Sequence, residues 1–257
     1  MIIRSTYPGL TLIRQTDHAR ICGDMARAWG GEGFEPVQPE ELVSLAAAEH
    51  DDGWIEWEAT PQLNPETGRP YTYIDIPIEQ HLEIYRRGIA GAGAHHRYAG
   101  VLVSLHGSLL YTRFRSGQPG AEEFLEEQKE LRSQWIEEAT EKEPELAPLC
   151  EESTLMANQD LLFAWDALSL FLCHGDVWLD EIEVPTDYEG GRTRIQVGGD
   201  GSTLTLSPFP FDRTPLQLSI LAFHLDDDRF DEGEAFRRAL GDAEQVRLDF
   251  RIEPGGG

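Results

Sequence analysis

LLFAWDALSLFLC, Leu161 to Cys173, reads as a helix with apolar side chains on every face, and such a helix lies inside a protein rather than upon it. Its single charge is Asp166. An ionised carboxylate in that setting costs several kcal/mol unless it is paired, hydrogen-bonded or bound to a metal. Asp166 is therefore either a structural carboxylate held by an indole N–H or an arginine, or part of a site.

Working outward, helical periodicity dominates the middle of the chain. Thr16 or Asp17 can cap a helix with the stripe His18, Ile21, Cys22, Met25 and Trp29, stopped by Gly30 and Gly31. A second helix starts near Pro39 and runs through EELVSLAAAEHDD to Gly53, with Val43, Ala46, Ala47 and His50 on one face. Trp54 to Ile76, punctuated by Pro61, Pro65, Gly68 and Pro70, reads as a long irregular loop that covers a site. Further helices are predicted over about Ile78 to Ala90, Tyr98 to Phe114, Ala121 to Thr140 and Glu152 to Cys173, the third of these acidic and peripheral.

Both ends change to period two. Ile2 to Arg4 and Leu10 to Ile13 flank the turn Tyr7-Pro8-Gly9; Arg194 to Val197, Thr203 to Leu206, Leu216 to Phe223 and Gln245 to Ile252 follow the helices, with a short helix near Glu232 to Leu240. The expected fold is α+β and mainly α. It is a single domain over residues 1–257, with a helical body of about 16–174 and β elements of about 2–13 and 192–252 joined in one small antiparallel sheet.

The 257 residues include 47 acidic and 21 basic side chains, a net charge of −26 with histidines neutral. That balance argues against a nucleic-acid duplex or an anionic membrane as partner and leaves a small-molecule substrate. No run approaches the roughly 20 apolar residues of a membrane span, and MIIRSTYPGL lacks the features of a signal peptide, so a cytoplasmic location is expected. Cys22, Cys150 and Cys173 read as reduced packing residues. The oligomeric state is left open.

The densest chemistry is His50-Asp51-Asp52-Gly53-Trp54. Two carboxylates at a helix C-terminus are disfavoured by about 0.3–1 kcal/mol each when exposed, and a bound cation would reverse that; alternatively they form a solvated turn with Gly53. His18, His81 and His106 lie on helix faces that look inward. Three such histidines, a His-Asp pair and a lone buried aspartate point together to a shared metal centre. Nitrogen and carboxylate ligands suit manganese, iron, zinc or, with fewer imidazoles, magnesium. His95-His96 reads as outer ligands or a solvent-facing pair; His174 sits favourably at a helix C-terminus, and His224 has no evident partner. Trp54, Trp57, Tyr71 and Tyr73 can stack on a ring or pack the loop down. No phosphate loop, nucleophile elbow or HExxH helix is present, and VGGDGS reads as a hairpin turn.

The order of a histidine on the first helix, His-Asp ending the second, histidines on two middle helices and an aspartate on the last resembles the HD-domain superfamily of metal-dependent phosphohydrolases. His50-Asp51-Asp52-Gly53-Trp54, the Pro61 to Pro70 loop and Ser104-Leu105-His106 also resemble a bacterial domain-of-unknown-function family. The superfamily resemblance implies an HD-domain-like helical body, with His18, His50, Asp51 and Asp166 on a first ion. It puts His81 and His106 on a second ion, with Asp51 able to bridge. A paired-histidine element seen in some dinuclear members is missing unless His95-His96 supplies it, so one or two ions are allowed. The expected activity is hydrolysis of a phosphate ester or nucleotide by metal-activated water. Asp52 would accept a proton or orient that water, or else be a surface residue. Arg86, Arg87, Arg97 and Arg113 would hold substrate phosphate. A di-iron oxygenase, or a non-catalytic binding module with a structural polar cluster, stays open beside it.

Overall fold

The structure is a computed structural model that describes residues 1–6 and 8–256; Tyr7 of the first turn lies outside the described residues. The alternating segments become β1 (Ile2–Ser5), β2 (Leu10–Ile13), β5 (Glu181–Pro185), β6 (Arg192–Gly199), β7 (Thr203–Ser207), β8 (Leu216–Leu225) and β9 (Glu244–Pro254), and β3 (Leu63–Asn64) pairs with β4 (Arg69–Pro70) as a separate two-residue ladder. The larger sheet has the order β1-β2-β8-β9-β7-β6-β5 and curls into a half-barrel. On β8, Leu216, Leu218, Ile220 and Ala222 are buried while Gln217, Ser219 and Leu221 between them are exposed, the alternation of a sheet with one face on a core.

This corrects the expected fold class. The sheet is not a small antiparallel appendage on an HD-domain-like helical body. It has seven strands and is mixed, because β9 slots between β7 and β8, parallel to the first and antiparallel to the second. Alternation reports which face of a strand is buried; it does not report which strands are neighbours, and that is where the expectation failed. β5 was also missed: its inward residues are only Ile182, Val184 and Pro185, and its exposed Glu181 and Glu183 pair with Arg194 and Arg192 of β6.

The helices are α1 (Gln15–Ala28), α2 (Glu40–Glu49), α3 (Ile55–Ala59), α4 (Ile78–His95), α5 (Arg97–Arg113), α6 (Ala121–Lys142), α7 (Glu152–His174) and α8 (Gly233–Asp242). α7 is the buried axis, in contact with α1, α2, α5, β1 and β5, as its apolar circumference requires. α6 turns Phe124, Gln128, Trp135 and Ala139 inward and its glutamates to water. Trp54 to Ile76 is less irregular than predicted: Asp52–Trp54 forms a 3-10 turn, α3 follows, and the β3–β4 ladder is tied down by Asn64 Nδ2 donating to Asp75 Oδ2 at 2.7 Å. Trp54 and Trp57 pack this segment onto the body rather than facing a ligand. No helix among the described residues is long and apolar enough to cross a membrane.

Two glycines set how closely the site-bearing helices approach. A Cβ on Gly23 of α1 would stand 2.7 Å from that of Ala48 in α2. At Gly53 a Cβ would overlap the Ile84 carbonyl of α4, so only glycine lets the turn after α2 dock there. That docking fixes the orientation of the two residues before it.

Candidate metal centre

Four helices bring five side chains into one buried cluster. His18 comes from α1, His50 caps the C-terminus of α2 with Asp51 following, His106 comes from α5, and Asp166 from the middle of α7. His18 Nε2 lies 2.9 Å from Asp51 Oδ2. Asp166 faces the three imidazoles: Oδ1 is 3.7 Å from His50 Nε2 and 3.9 Å from His18 Nδ1, and Oδ2 is 3.6 Å from His106 Nε2. His50 Nε2 is 3.8 Å from Asp51 Oδ2. At 3.6 Å and beyond these are not hydrogen bonds.

The hydrogen-bond network assigns the ring protons. His50 Nδ1 donates to the Ala47 carbonyl at 2.8 Å, so in the neutral ring the lone pair is on Nε2, which among the described residues has no hydrogen-bond partner. Ser169 gives its one proton to the Asp166 carbonyl at 2.8 Å and therefore accepts from His18 Nδ1, also at 2.8 Å. His18 Nε2 is then the nitrogen that faces Asp51, and a proton or a cation must lie between that lone pair and the carboxylate. Both His106 nitrogens are buried and, among the described residues, without a hydrogen-bond partner. Asp51 is oriented from other sides by Gln15 Nε2 at 3.1 Å and by the Tyr85 hydroxyl at 3.4 Å.

These environments shift the protonation equilibria. Burial acts to lower the pKa of His50, yet the Asp51 and Asp166 carboxylates overcome it and raise it to about 9. Burial holds His106 down to about 4 against the pull of Asp166, which keeps it a neutral donor. For Asp51 and Asp166 burial acts upward, but the facing imidazoles hold both below the usual carboxylate range. The donor set fits a metal ion. Ligands bound at 2.0–2.2 Å to one ion stand about 2.8–3.6 Å apart, and the facing pairs here lie within a few tenths of that range. The peptide carbonyl on His50 and the hydroxyl on His18 are the outer partners that fix a ligating tautomer. His50, His106 and Asp166 form one group that could hold a metal ion, and His18, Cys22 and His50 a second that shares His50. Burial pushes the Cys22 thiol well up, and its Sγ lies 3.2 Å from Ser169 Oγ, so the nitrogen and oxygen set is the readier one.

A family model described as "Protein of unknown function (DUF3891)" matches residues 1–227. The chain belongs to the DUF3891 family. All five converging residues lie within the match, whereas α8 and β9 lie beyond it. No curated protein and no solved structure matches the chain.

In this DUF3891 chain the other residues singled out from the sequence lie elsewhere. His81 does not join the cluster: its Nδ1 pairs with the Tyr111 hydroxyl at 2.6 Å and its ring stacks on Tyr85. Asp52 opens the 3-10 turn half-buried; burial and the Glu49 carboxylate raise its pKa, and neither group of residues that could hold an ion includes it. Arg86 is held by Glu127, Arg87 by Glu56 and the Gly53 carbonyl, and Arg97 by Glu138. Arg113 lies over the Phe163 ring at 5.1 Å. His95 pairs with Glu49 and His96 with Glu143, and α4 runs on through the Gly-Ala stretch read as a connection. His224 does have a neighbour, Asp226 Oδ1 at 3.7 Å.

Sequence reasoning missed Gln15, Tyr85 and Ser169. Ser169 carried a usable signal, being the one hydroxyl in the otherwise apolar Leu161 to Cys173 segment and one turn from Asp166. Nothing in the local pattern marks Gln15 or Tyr85.

Proposed function

We propose that His18, His50, His106, Asp51 and Asp166 hold one divalent transition-metal ion and that the chain hydrolyses a phosphate ester. The observation that carries the reading is a set of buried ring nitrogens without partners: among the described residues His50 Nε2 and both His106 nitrogens make no hydrogen bond, and two of them, His50 Nε2 and His106 Nε2, face the Asp166 carboxylate. Leaving buried polar groups unsatisfied costs about 1–3 kcal/mol per group, and a cation bound between the facing nitrogens and the carboxylate would remove part of that cost. Three imidazoles favour zinc, iron or manganese over magnesium.

Such an ion lowers the pKa of a water it holds and polarises a phosphoryl oxygen. The chain's own groups have distinct tasks. The Ala47 carbonyl and Ser169 hydroxyl aim two imidazoles; Gln15 and Tyr85 keep Asp51 turned inward; the mainly apolar packing of α7 excludes bulk water. Asp52 belongs to neither group that could hold an ion, so proton handling is not assigned to it. With His81 bound to Tyr111, one gap and one ion are the simplest use of the ligands, and a di-iron oxygenase would need a second set.

The test is metal analysis of chain purified without added metal, followed by assay of the loaded protein on phosphomonoesters, phosphodiesters and nucleotides. One ion per chain and metal-dependent turnover are expected, both lost in Asp51→Ala. Failure of wild type to bind an ion would sink the metal reading; a bound ion without turnover across the panel would sink the hydrolase reading alone.

A further inference from the structure

The cluster is sealed except on one side. The His18, His50 and His106 side chains are each 1% exposed, Asp51 4% and Asp166 11%, so the opening lies over the α7 face that carries Asp166. Along that face, at positions i, i+3, i+7 and i+11, stand Phe163, Asp166, Leu170 and His174, and all but Asp166 are only half-buried. A ring of contacts encloses it. Phe163 stacks on Phe114 at 6.3 Å between centroids. The next residue, Arg115, donates to the Tyr73 and Ile74 carbonyls at 2.6 and 3.3 Å, and the Tyr73 hydroxyl meets His174 Nε2 at 3.1 Å, which returns the ring to α7. Phe163 to His174 spans about 16 Å of helix, with Asp166 near one end.

Scattered apolar side chains on a surface need no explanation. Here they are gathered: Phe114 is 66% and Ile74 65% exposed, both on the rim above the one partly open carboxylate. The same rim carries Arg113 and Arg115, which among the described residues make no salt bridge, in a chain of net charge −26. An apolar trough with two arginines at its edge that no carboxylate neutralises among the described residues, beside a candidate metal centre, is complementary to an anion that carries a flat apolar body.

We propose that this trough selects the organic part of the substrate and that the substrate is an aryl phosphomonoester: phosphate above Asp166 with Arg113 and Arg115 beside it, ring system against Phe114, Phe163 and Leu170. The place given to the phosphate rests on the hydrolase reading above; the selectivity of the trough does not. The test is calorimetric titration of the full chain, as purified and zinc-loaded, with 1-naphthylmethylphosphonate and with methylphosphonate, neither of which has an ester to hydrolyse. The naphthyl compound should bind at least about tenfold more tightly. Phe114→Ser, at an exposed position, should shrink that ratio by about twofold to tenfold, the worth of one aromatic contact, with zinc stoichiometry unchanged; Arg115→Gln should weaken both ligands. Equal affinities, an unaltered ratio in Phe114→Ser, or no binding of either phosphonate would overturn the proposal. Naphthyl selectivity in a chain that leaves 1-naphthyl phosphate intact would keep the trough and discard the hydrolase.

Discussion

Ser169→Ala separates a metal site from a merely structural polar cluster, because the two predict opposite responses. Ser169 is fully buried and accepts from His18 Nδ1 at 2.8 Å. In the variant a metal-free His18 can keep a proton on Nε2, where it donates to Asp51 Oδ2 at 2.9 Å, and leave Nδ1 bare. The imidazole then keeps a partner, and the metal-free chain loses about 1 kcal/mol, the typical net worth of one hydrogen bond. Metal binding needs Nε2 bare, so the proton must return to Nδ1, where nothing now accepts it. An orphaned buried donor costs about 1–3 kcal/mol, and loss of an outer partner to a ligating histidine lowers metal affinity about 10–100-fold. The two figures agree, since a factor of ten is about 1.4 kcal/mol. Zinc affinity is measured by competition with a chelator, and stability by urea unfolding in excess chelator. A variant that unfolds more easily yet binds zinc as tightly as wild type would refute the reasoning.

Stability of the metal-free chain should depend on pH through His50. Its pKa is raised to about 9 by carboxylates that outweigh burial, against about 6.5 unfolded, so its contribution is complete below about pH 6.5 and disappears as pH rises through about 9; urea midpoints that stay flat across that window in chelator would contradict this. Because zinc must displace that proton, apparent affinity should climb about tenfold per pH unit below pH 9, and a pH-independent affinity would argue against His50 as ligand. Cys22→Ala should leave zinc affinity within about threefold, as expected if nitrogen and oxygen do the binding; abolished binding would put the thiol in the coordination set. His81→Phe should keep full zinc stoichiometry while unfolding more easily, by about 1–3 kcal/mol for the orphaned Tyr111 hydroxyl, and loss of the ion would restore His81 as a ligand. Gly53→Ala, whose Cβ overlaps the Ile84 carbonyl, should destabilise by about 2 kcal/mol or more and weaken zinc binding; a wild-type melting temperature would show that the turn does not need its close approach to α4.

What the sequence made visible follows from the range of each signal. The α7 segment announces its burial because no polar face exists to turn outward, and Asp166 stands out against that background. His18, His50 and His106 show as polar interruptions of apolar stripes at helical spacing. His81 gives the same local signal and is used differently, since a tyrosine thirty residues away, Tyr111, decides its role. The arginines fail for a related reason: a guanidinium's partner lies across a helix interface, and Arg86, Arg87 and Arg97 each find a glutamate there. Arg115, which ties the Tyr73-Ile74 loop to the rim of the opening, gives the same local signal as they do. Strand existence was mostly legible from alternation, but the neighbour of each strand is a long-range property, and the parallel pairing of β7 with β9 left no mark within either segment.

That pairing also has a consequence for how the protein is made. β9 is made after every other strand of the sheet yet lies near its middle, so until β9 emerges from the ribosome the half-barrel stands as two halves, β1-β2-β8 and β7-β6-β5, each with an open hydrogen-bonding edge. At about 5–20 residues per second, the stretch from the end of β8 to the end of β9 takes on the order of seconds to emerge. Open edges of that length invite pairing between nascent chains. Mutual repulsion between chains of net charge −26 opposes such encounters, which gives the acidic composition a role before the fold is finished as well as after.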